Sequence, residues 1–472
     1  MHLPPIVATV IYVIGIAGLF WLDRGRDRGI RLSRTLLLPT AWLLLIGSRP
    51  VSMWLGVSPD AGTATIYEEG SPADRAVYMA LVAGALIVLF RRSGQVGPIL
   101  RKNWPIVLFF FYAAFSILWS DDPFVTLKHW VKGIGDIAMV LIVLTEPDVM
   151  AAIKRLVTVV GFTLLPLSVL LCKYYPGLGR FVSRSWEMEF TGVTAQKNAL
   201  GGLCIVYGLG LLWRFRNAFE QRQDPQRRRR LLAIGTVLLM TLWLLWKCRS
   251  MSSIAALGMG GALLLLSSRP TFRRQPFFVH LLVLVMLSSA VYGVFLQSSG
   301  ALLKDIGKDA TLTGRTEIWK AVLTVPVNPL VGAGYESFWL GKRLEQLWMR
   351  FPEMQINEAH NGYLEIYLNL GWIGILLLAG IMIMGYRAAS AAYRRDPDTG
   401  GLFLALVIAA AVRGIAEAAF RMLSSSWIFF VLAAMAASQA TVPSEAHEAP
   451  DPHDPGNEAQ AEFGLDSPLT HW

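Results

Sequence analysis

The stretch NEAHNGYLEIYLNLGWIGILLLAGIMIMGY, residues 357–386, joins a polar segment to a long apolar run. Its first residues include an asparagine, two glutamates and a histidine, whereas no charged residue occurs from 366 to 386. A helix needs about 20 apolar residues to cross a bilayer core about 30 Å thick. The stretch therefore predicts a membrane-spanning helix that begins at a polar, titratable surface.

Apolar runs of similar length recur along the whole chain of 472 residues, of which 54% are hydrophobic and 16% charged. A soluble domain carries about 25% charged residues, so the composition predicts an all-α polytopic membrane protein with about 12–13 transmembrane helices. Two runs, 76–90 and 133–145, are short for a crossing unless flanking polar residues extend them. The thirteen runs cover residues 4–22, 35–55, 76–90, 104–119, 133–145, 153–171, 198–213, 231–247, 252–268, 277–296, 363–386, 401–420 and 425–440.

The net charge of +10 comes mainly from arginines in short loops between the apolar runs. If the spans alternate, the arginine-rich loops all face one side, which is cytoplasmic by the positive-inside rule. This placement predicts a role in orientation and no nucleic-acid partner. The loops concerned lie within residues 24–34, 91–102, 213–230, 269–274 and 387–395.

The longest connection, residues 297–362, then lies on the external side. A structureless loop of that length is uncommon unless it is functional, and TGRTEIWKAVLTV and SFWLGKRLEQLWMRF within it predict amphipathic helices. We therefore predict one transmembrane domain, 1–440, with 297–362 as a periplasmic loop. The acidic tail 441–472 is rich in proline and alanine and is predicted to be disordered in the cytoplasm.

Three cysteines without metal-type spacing imply no disulfide framework. The N-terminal sequence MHLPPIVATVIYVIGIAGLFWLDRGR has no basic region before its apolar run and predicts a retained first span.

Cations occur at two places on the predicted external face. In WKCRSMSSIAALGMG, residues 246–260, Lys247 and Arg249 stand at an outer helix junction against the positive-inside bias. In TLTGRTEIWKAVL, Arg315 falls in the first turn of a helix, where the helix dipole does not favour a cation. Both sites fit an anionic ligand, and both also fit ordinary snorkelling or solvated side chains.

The histidine of the opening stretch is a candidate base or hydrogen-bond partner. In a helix, His360, Tyr363, Leu364 and Tyr367 would share one face. Histidine titrates near neutral pH, which suits proton transfer to or from a substrate. The alternative is a histidine without a catalytic role that lies at the membrane interface, next to tyrosines that are ordinary interfacial residues.

Ionisable residues also occur in a predicted span and at the mouth of another. In AAVRGIAEAAFRML, Arg413, Glu417 and Arg421 stand at i, i+4 and i+8, which predicts either a polar cavity or an intrahelical ion pair. Lys197 and Asn198 begin the run 198–213. Asp136 in GIGDIAMV is a weaker case of the same kind.

Together these residues predict one external cavity with several cations, a histidine and aromatic rings. Neither a P-loop nor a carboxylate cluster of metal-binding type is evident, and no metal or cofactor is predicted. Arginines can bind both phosphates of a lipid pyrophosphate through forked donors and stabilise the charge on the leaving group. A histidine can assist the attack of a sugar hydroxyl.

Motif order and spacing resemble the O-antigen ligase and polysaccharide polymerase family of bacterial inner membranes. The resemblance rests on CRSMSSIAALGMG, TGRTEIWKAVL, NPLVGAGYESFW and EAHNGYLEIYLNLGWIGILLL, in that order. LWSDDPFVTLKHW, 118–130, and GVTAQKNALGG, 192–202, resemble upstream motifs of the exopolysaccharide polymerase-like branch. The likeness covers roughly residues 110–440, although Gln196 stands where that branch often has a histidine.

The resemblance implies a GT-C-type helical fold with the long periplasmic loop over the active site. It also implies transfer of a glycan from undecaprenyl pyrophosphate without a metal, at a site facing the periplasm. By motif, Arg249 and Arg315 would clamp the pyrophosphate and His360 would assist the acceptor. The residues predicted to bind substrate are Lys197, Asn198, Asn361, Tyr363, Arg413 and Glu417.

Three functions follow as alternatives. A polymerase would move a lipid-linked glycan onto another lipid-linked repeat unit. A ligase would move the finished glycan onto lipid A core, and a permease or flippase would move the glycolipid intact, which predicts midplane polar groups and an internal repeat that the sequence lacks. The expected partners are the undecaprenyl-pyrophosphate-linked donor, a glycan or lipid acceptor, membrane lipids and a candidate chain-length regulator.

Overall fold

A computed structural model describes residues 3–24, 33–56, 71–182, 187–298, 313–351 and 357–440. The predicted tail, 441–472, and residues 299–312 of the predicted periplasmic loop lie outside these ranges. The described residues are overwhelmingly helical, and their strands are β1 Arg180–Val182 and β2 Met188–Phe190, an antiparallel pair. The expectation of an all-α polytopic membrane protein is confirmed.

The first half of the chain contains nine described helices. Their bounds are α1 Pro5–Asp23, a 3-10 turn Arg34–Leu36 leading into α2 Leu37–Ile46, α3 Val51–Trp54, α4 Pro72–Arg91, α5 Ser93–Lys102, α6 Trp104–Phe115 followed by a 3-10 turn Ser116–Trp119, α7 Pro123–Leu144, α8 Val149–Tyr174 and α9 Pro176–Gly179.

Ten more helices are described in the second half. They are α10 Lys197–Glu220, α11 Arg227–Cys248, α12 Met251–Ser267, α13 Pro270–Arg274, α14 Phe277–Ser298, α15 Thr313–Leu323, α16 Gly341–Arg350, α17 Gly362–Arg395, α18 Pro397–Ala416 and α19 Ser425–Gln439. Helices α15 and α16 occupy the two amphipathic stretches predicted in the long loop.

Each of the thirteen apolar runs overlaps a helix, but the run 35–55 is divided between α2 and α3, and the run 401–420 continues past the end of α18 at Ala416. Seven described helices are long and apolar enough to cross a membrane: α1, α4, α8, α10, α11, α17 and α18. Helices α5 and α6 form a pair bent by 93°, and α2, α12, α14 and α19 contain shorter apolar stretches. The run 133–145 lies in α7, which polar residues extend to 22 residues, as its short apolar length requires.

Helix α18 lies at the centre of the bundle and is buried on nearly all sides, against α12, α17 and α19. Lipid tails are as apolar as leucine, so close packing of small residues supplies much of the attraction between such helices. Gly385 of α17 faces Ala434 of α19, and Gly260 of α12 faces the backbone of Ala405 of α18. A side chain at either glycine would separate the two helices.

The buried carboxylate of Asp136 connects three parts of the bundle. It accepts a hydrogen bond from Trp42 Nε1 of α2 at 2.9 Å and another from the backbone N–H of Leu423 at 2.8 Å. Buried polar groups need such partners because water is excluded. The α18–α19 connection is thereby fastened to α7.

The long loop, 297–362, is held against a break in α17 at Gly371, where φ is 64° and ψ is −162°. The backbone N–H groups of Trp372 and Ile373, freed by the break, donate to the carbonyls of Pro329 and Leu330. A Cβ on Gly371 would overlap the Leu330 carbonyl. Only glycine at this position in NLGW permits both the close approach of the two backbone segments and the positive φ.

The first residues of three helices and the last residues of a fourth lie at the same end of the bundle. Contacts described below bring the beginnings of α10, α12 and α17 to the end of α18. The opposite ends of those three helices carry the arginine-rich connections 213–230, 269–274 and 387–395. This agrees with the alternation predicted from charge.

One prediction about α18 is wrong. The helix ends at Ala416, and Glu417 is extended, with φ −148° and ψ 156°. Arg413, Glu417 and Arg421 therefore do not share a helix face. Glu417 leaves the helix because its carboxylate binds groups on α15, on α12 and before α17.

Gly371→Ala should destabilise the protein by roughly 1–3 kcal/mol, since it combines a strained φ with a backbone overlap. Gly380→Ala is the matched control on the same helix, where a Cβ meets nothing within 4 Å. The midpoint of thermal unfolding in detergent measures both. Equal midpoints for the two variants would contradict this account of the break.

Candidate functional site

A buried carboxylate, Glu417, lies at the centre of the polar end of the bundle. Arg315 in the first turn of α15 places Nη2 2.7 Å from Glu417 Oε1. Ser252 of α12 donates to the same oxygen at 3.0 Å. The side chain of Glu417 is 3% exposed, so these partners replace the water it has lost.

His360 lies beside the same carboxylate. Its Nδ1 is 3.6 Å from Glu417 Oε2 and 2.9 Å from Glu358 Oε1. The histidine is not on a helix face as predicted, because α17 begins only at Gly362 and His360 has a φ of 47°. This left-handed backbone directs the ring toward the two carboxylates.

The two carboxylates control the charge of the ring. Burial by itself would lower the pKa of His360, but attraction to Glu358 and then to Glu417 outweighs it and raises the pKa to about 10. Burial likewise would raise the pKa of Glu358, yet His360, with Arg421 and Arg413, lowers it to about 2. At neutral pH the imidazole is therefore protonated and faces two ionised carboxylates.

A second ion pair, between the partly exposed Arg421 and the buried Glu336, extends the cluster to the long loop. Arg421 Nε is 3.0 Å from Glu336 Oε2, and its Nη1 is 3.9 Å from Glu358 Oε2. The Met422 N–H also donates to Glu336. These contacts hold the α18–α19 connection against the loop that carries Glu336.

Backbone strain is concentrated in the same region. Non-glycine residues with positive φ are uncommon and persist only where the surroundings enforce them. Each one found in the described part of the chain belongs to a segment of this site or its border. They are Arg249, Glu336, His360 and Leu423.

Arg249 caps the C-terminal end of α11 and is exposed. Its neighbour Ser250 bonds to Ser253, and Ser252 bonds to Glu417, so the segment reaches the cluster. Arg249 itself makes no ion pair with any residue that the structure describes. Lys247 instead lies 4.3 Å from the ring centre of Trp246, which suits an interfacial side chain.

The predicted substrate-binding residues fall into different positions. Lys197 pairs with Glu189 of β2 at 2.6 Å, and the Asn198 carbonyl accepts from Arg413 Nη2 at 2.8 Å. The structure thus brings Asn198 and Arg413 together, on the side of Glu417 that faces α10. It directs Lys197 to the hairpin.

Asn361 and Tyr363 have structural partners. The Asn361 side chain caps α17 by accepting from the N–H groups of Tyr363 and Leu364 at 3.0 and 3.1 Å. Tyr363 donates its hydroxyl to the Ala411 carbonyl, and its ring packs on Phe420 with centroids 5.2 Å apart. These contacts orient the first turn of α17 beside His360.

Sequence reasoning missed Glu358 and Glu336 as site residues. Both glutamates are in the quoted motifs, in NEAHN and GAGYESFW, but only the fold gives them partners. Glu358, two residues before His360, was the available signal.

Glu358, His360 and Glu417 offer ligand atoms within 4.8 Å of one another, a spacing that fits a metal ion. Their neighbours argue against one. Arg315 and Arg421 already approach these carboxylates, and a metal would have to displace the strongly held imidazole proton. We therefore interpret the three residues as an ion-pair cluster.

Two comparisons show which known proteins the chain is similar to. A sequence model described as O-antigen ligase matches residues 235–379, which include Arg249, Arg315 and His360. The exopolysaccharide production protein ExoQ of Rhizobium meliloti (strain 1021) is 25% identical over 318 residues, covering 63% of this chain and 68% of that protein. These matches support the resemblance stated from the motifs: this multi-pass membrane protein is similar, over part of its length, to the O-antigen ligase and polysaccharide polymerase family.

Proposed function

We propose that this protein is an inner-membrane glycan polymerase. It transfers an oligosaccharide from a lipid pyrophosphate to another lipid-linked repeat unit, as a GT-C-type enzyme that needs no metal. The single observation that carries the proposal is the joining of His360 and Arg315 through Glu417 at one end of a helical bundle. The role in the name of the relative, exopolysaccharide production, supports a polymerase.

Arg315 and Arg249 would bind the pyrophosphate. A guanidinium presents forked donors that match phosphate oxygens, and it stabilises the charge that grows as the pyrophosphate leaves. Arg315 is one-fifth exposed and Arg249 is exposed, so a lipid head group at this surface can reach them. The lipid tail would remain between the apolar helices and the bilayer.

His360 would take the proton of the attacking hydroxyl. Both carboxylates face Nδ1, which leaves Nε2 for the acceptor. A carboxylate on one ring nitrogen orients the other and raises its basicity, as in other base dyads. The same pairing keeps most of the rings protonated at neutral pH, so the basic form is a minority species.

A ligase is the second candidate, favoured by the description of the matching sequence model. It would use the same donor and the same three side chains with lipid A core as acceptor. Only the acceptor differs, so the products distinguish the two enzymes.

Purified protein in liposomes with a lipid-linked glycan and no added metal or nucleotide should form chains longer than one repeat. A ligase would instead move glycan onto added lipid A core without lengthening it. Passage of intact glycolipid across the bilayer, with no bond broken, would refute both enzymes in favour of a permease.

In this assay Arg249→Ala and Arg315→Ala should each lower transfer by at least about 100-fold, the usual effect of losing one transition-state donor. Arg→Lys at either position should also lose activity, because an ammonium lacks the forked geometry. Arg350→Ala, on α16, is the surface control and should keep normal transfer. Near-normal polymer from an Arg249 or Arg315 variant would disprove that assignment.

Transfer should also depend on pH. The neutral form of His360 increases as pH rises toward its pKa of about 10, so the rate should rise over the same range. Glu358→Gln removes the main attraction that raises this pKa and should shift the rising limb to lower pH. Glu345→Gln removes an equal charge from α16 and should leave the profile unshifted. A rate that falls as pH rises would instead make the imidazolium the active form.

A further inference from the structure

A small cavity of about 150 Å³ lies beside the Glu417 cluster, between the beginning of α10, the end of α18 and the beginning of α19. Polar groups from all three helices line it, and the carboxylates of Glu358 and Glu417 form part of its wall. Its volume is well above the roughly 10–15 Å³ that a single water needs. The cavity therefore has room for a tetrahedral oxyanion.

Arg413 projects into this cavity from α18 and is only 7% exposed. One of its nitrogens donates to the Asn198 carbonyl, but Nε and Nη1 have no hydrogen-bond partner among the described residues. The buried hydroxyl of Ser426, also on the cavity wall, is likewise without a partner in that part of the chain. Buried donors left unpaired are costly, and a charged one most of all, which points to a missing acceptor.

The packing around Arg413 favours this unpaired arrangement. A Cβ on Gly202 of α10 would overlap the guanidinium, so the glycine lets the arginine lie flat against that helix. The side chain is held in position although, among the residues that the structure describes, two of its nitrogens have no hydrogen-bond partner.

Two helix N-termini face the same cavity. Helix α10, of 24 residues, and α19, of 15 residues, both begin there, and Asn198, Ala199, Ser425 and Ser426 of their first turns line the wall. Neither N-cap side chain accepts a hydrogen bond from its helix, and neither first turn contains an acidic residue. Free N–H groups and the positive end of the dipole favour an anion at both.

We propose that this cavity is a phosphate subsite, held by Arg413, the Ser426 hydroxyl and the first-turn N–H groups of α10 and α19. That the phosphate belongs to the carrier lipid rests on the proposed function. Glu417 both lines the cavity and pairs with Arg315, so one side chain separates the two arginines. One phosphate of a pyrophosphate would bind Arg413, and the other would bind Arg315 and Arg249, the pair assigned to the pyrophosphate above.

The carboxylates of Glu358 and Glu417 in the cavity wall would repel an anion, but both already have partners within the protein. Glu417 is bound by Arg315 and Ser252, and Glu358 by His360 and Arg421. Their charges are thus compensated by partners within the protein.

Equilibrium binding to the detergent-purified full-length protein tests the subsite without any transfer reaction. The probes are inorganic phosphate, inorganic pyrophosphate and farnesyl pyrophosphate, followed by isothermal titration calorimetry. Arg413→Gln should weaken pyrophosphate binding about 10- to 100-fold, the effect of losing hydrogen bonds to a charged group. Ser426→Ala should weaken it severalfold, and Gly202→Ala should also weaken it by displacing the guanidinium.

Arg216→Gln is the matched control. Arg216 is as buried as Arg413, at 7% exposed, but it pairs with Asp398 at the opposite end of the bundle. It should bind the probes like the wild type. Gly258→Ala, where a Cβ meets nothing within 4 Å, is the control for Gly202→Ala.

The probes also distinguish the source of the phosphate. If inorganic phosphate or pyrophosphate binds and this binding depends on Arg413, the site binds the free anion. If binding requires the prenyl chain of farnesyl pyrophosphate, the site binds a lipid head group. Wild-type affinity for every probe in both Arg413→Gln and Ser426→Ala would overturn the proposal. If Arg413→Gln does not fold, Ser426→Ala decides. Transfer activity with unaltered binding in these variants would refute the subsite and leave the proposed function standing.

Discussion

The polar end of this protein depends on one buried carboxylate, that of Glu417. It binds Arg315 of the outer loop, Ser252 of α12 and, through its other oxygen, approaches His360 before α17. A buried charge is stable only when its partners surround it, so these three segments are brought to one point. The cost of leaving the carboxylate unpaired also explains why the chain departs from helix directly after Ala416.

The remaining polar contacts extend this arrangement in two directions. Arg421, Glu336 and Glu358 join the outer loop to the α18–α19 connection, while Asp136 fastens that connection to α7. On the other side, Arg413 faces a cavity between two uncapped helix ends. Anions are therefore favoured on one side of Glu417, and a strongly basic imidazole lies on the other.

Unusual backbone conformations and close packing position the side chains that form the ion pairs. Four non-glycine residues adopt left-handed backbone around the cluster, and Gly371 and Gly202 permit contacts that any side chain would block. These features lie in loops or at helix ends, while the central helices are packed through small residues. A rigid apolar bundle thus carries a short polar layer whose geometry is determined at its edges.

The sequence by itself determined the class of protein and the positions of most apolar helices, and it predicted Arg249, Arg315 and His360 as site residues. Apolar length and charge placement are local properties, which is why they can be read without the fold. Only the tertiary structure decided that Glu358 and Glu417 meet His360, that Glu417 lies outside α18, and that Arg413 faces a cavity. The pairs of Glu417 with His360, of Glu417 with Arg315 and of Arg413 with Asn198 join residues 57, 102 and 215 positions apart, and their approach is set by helix packing and by the burial of charge.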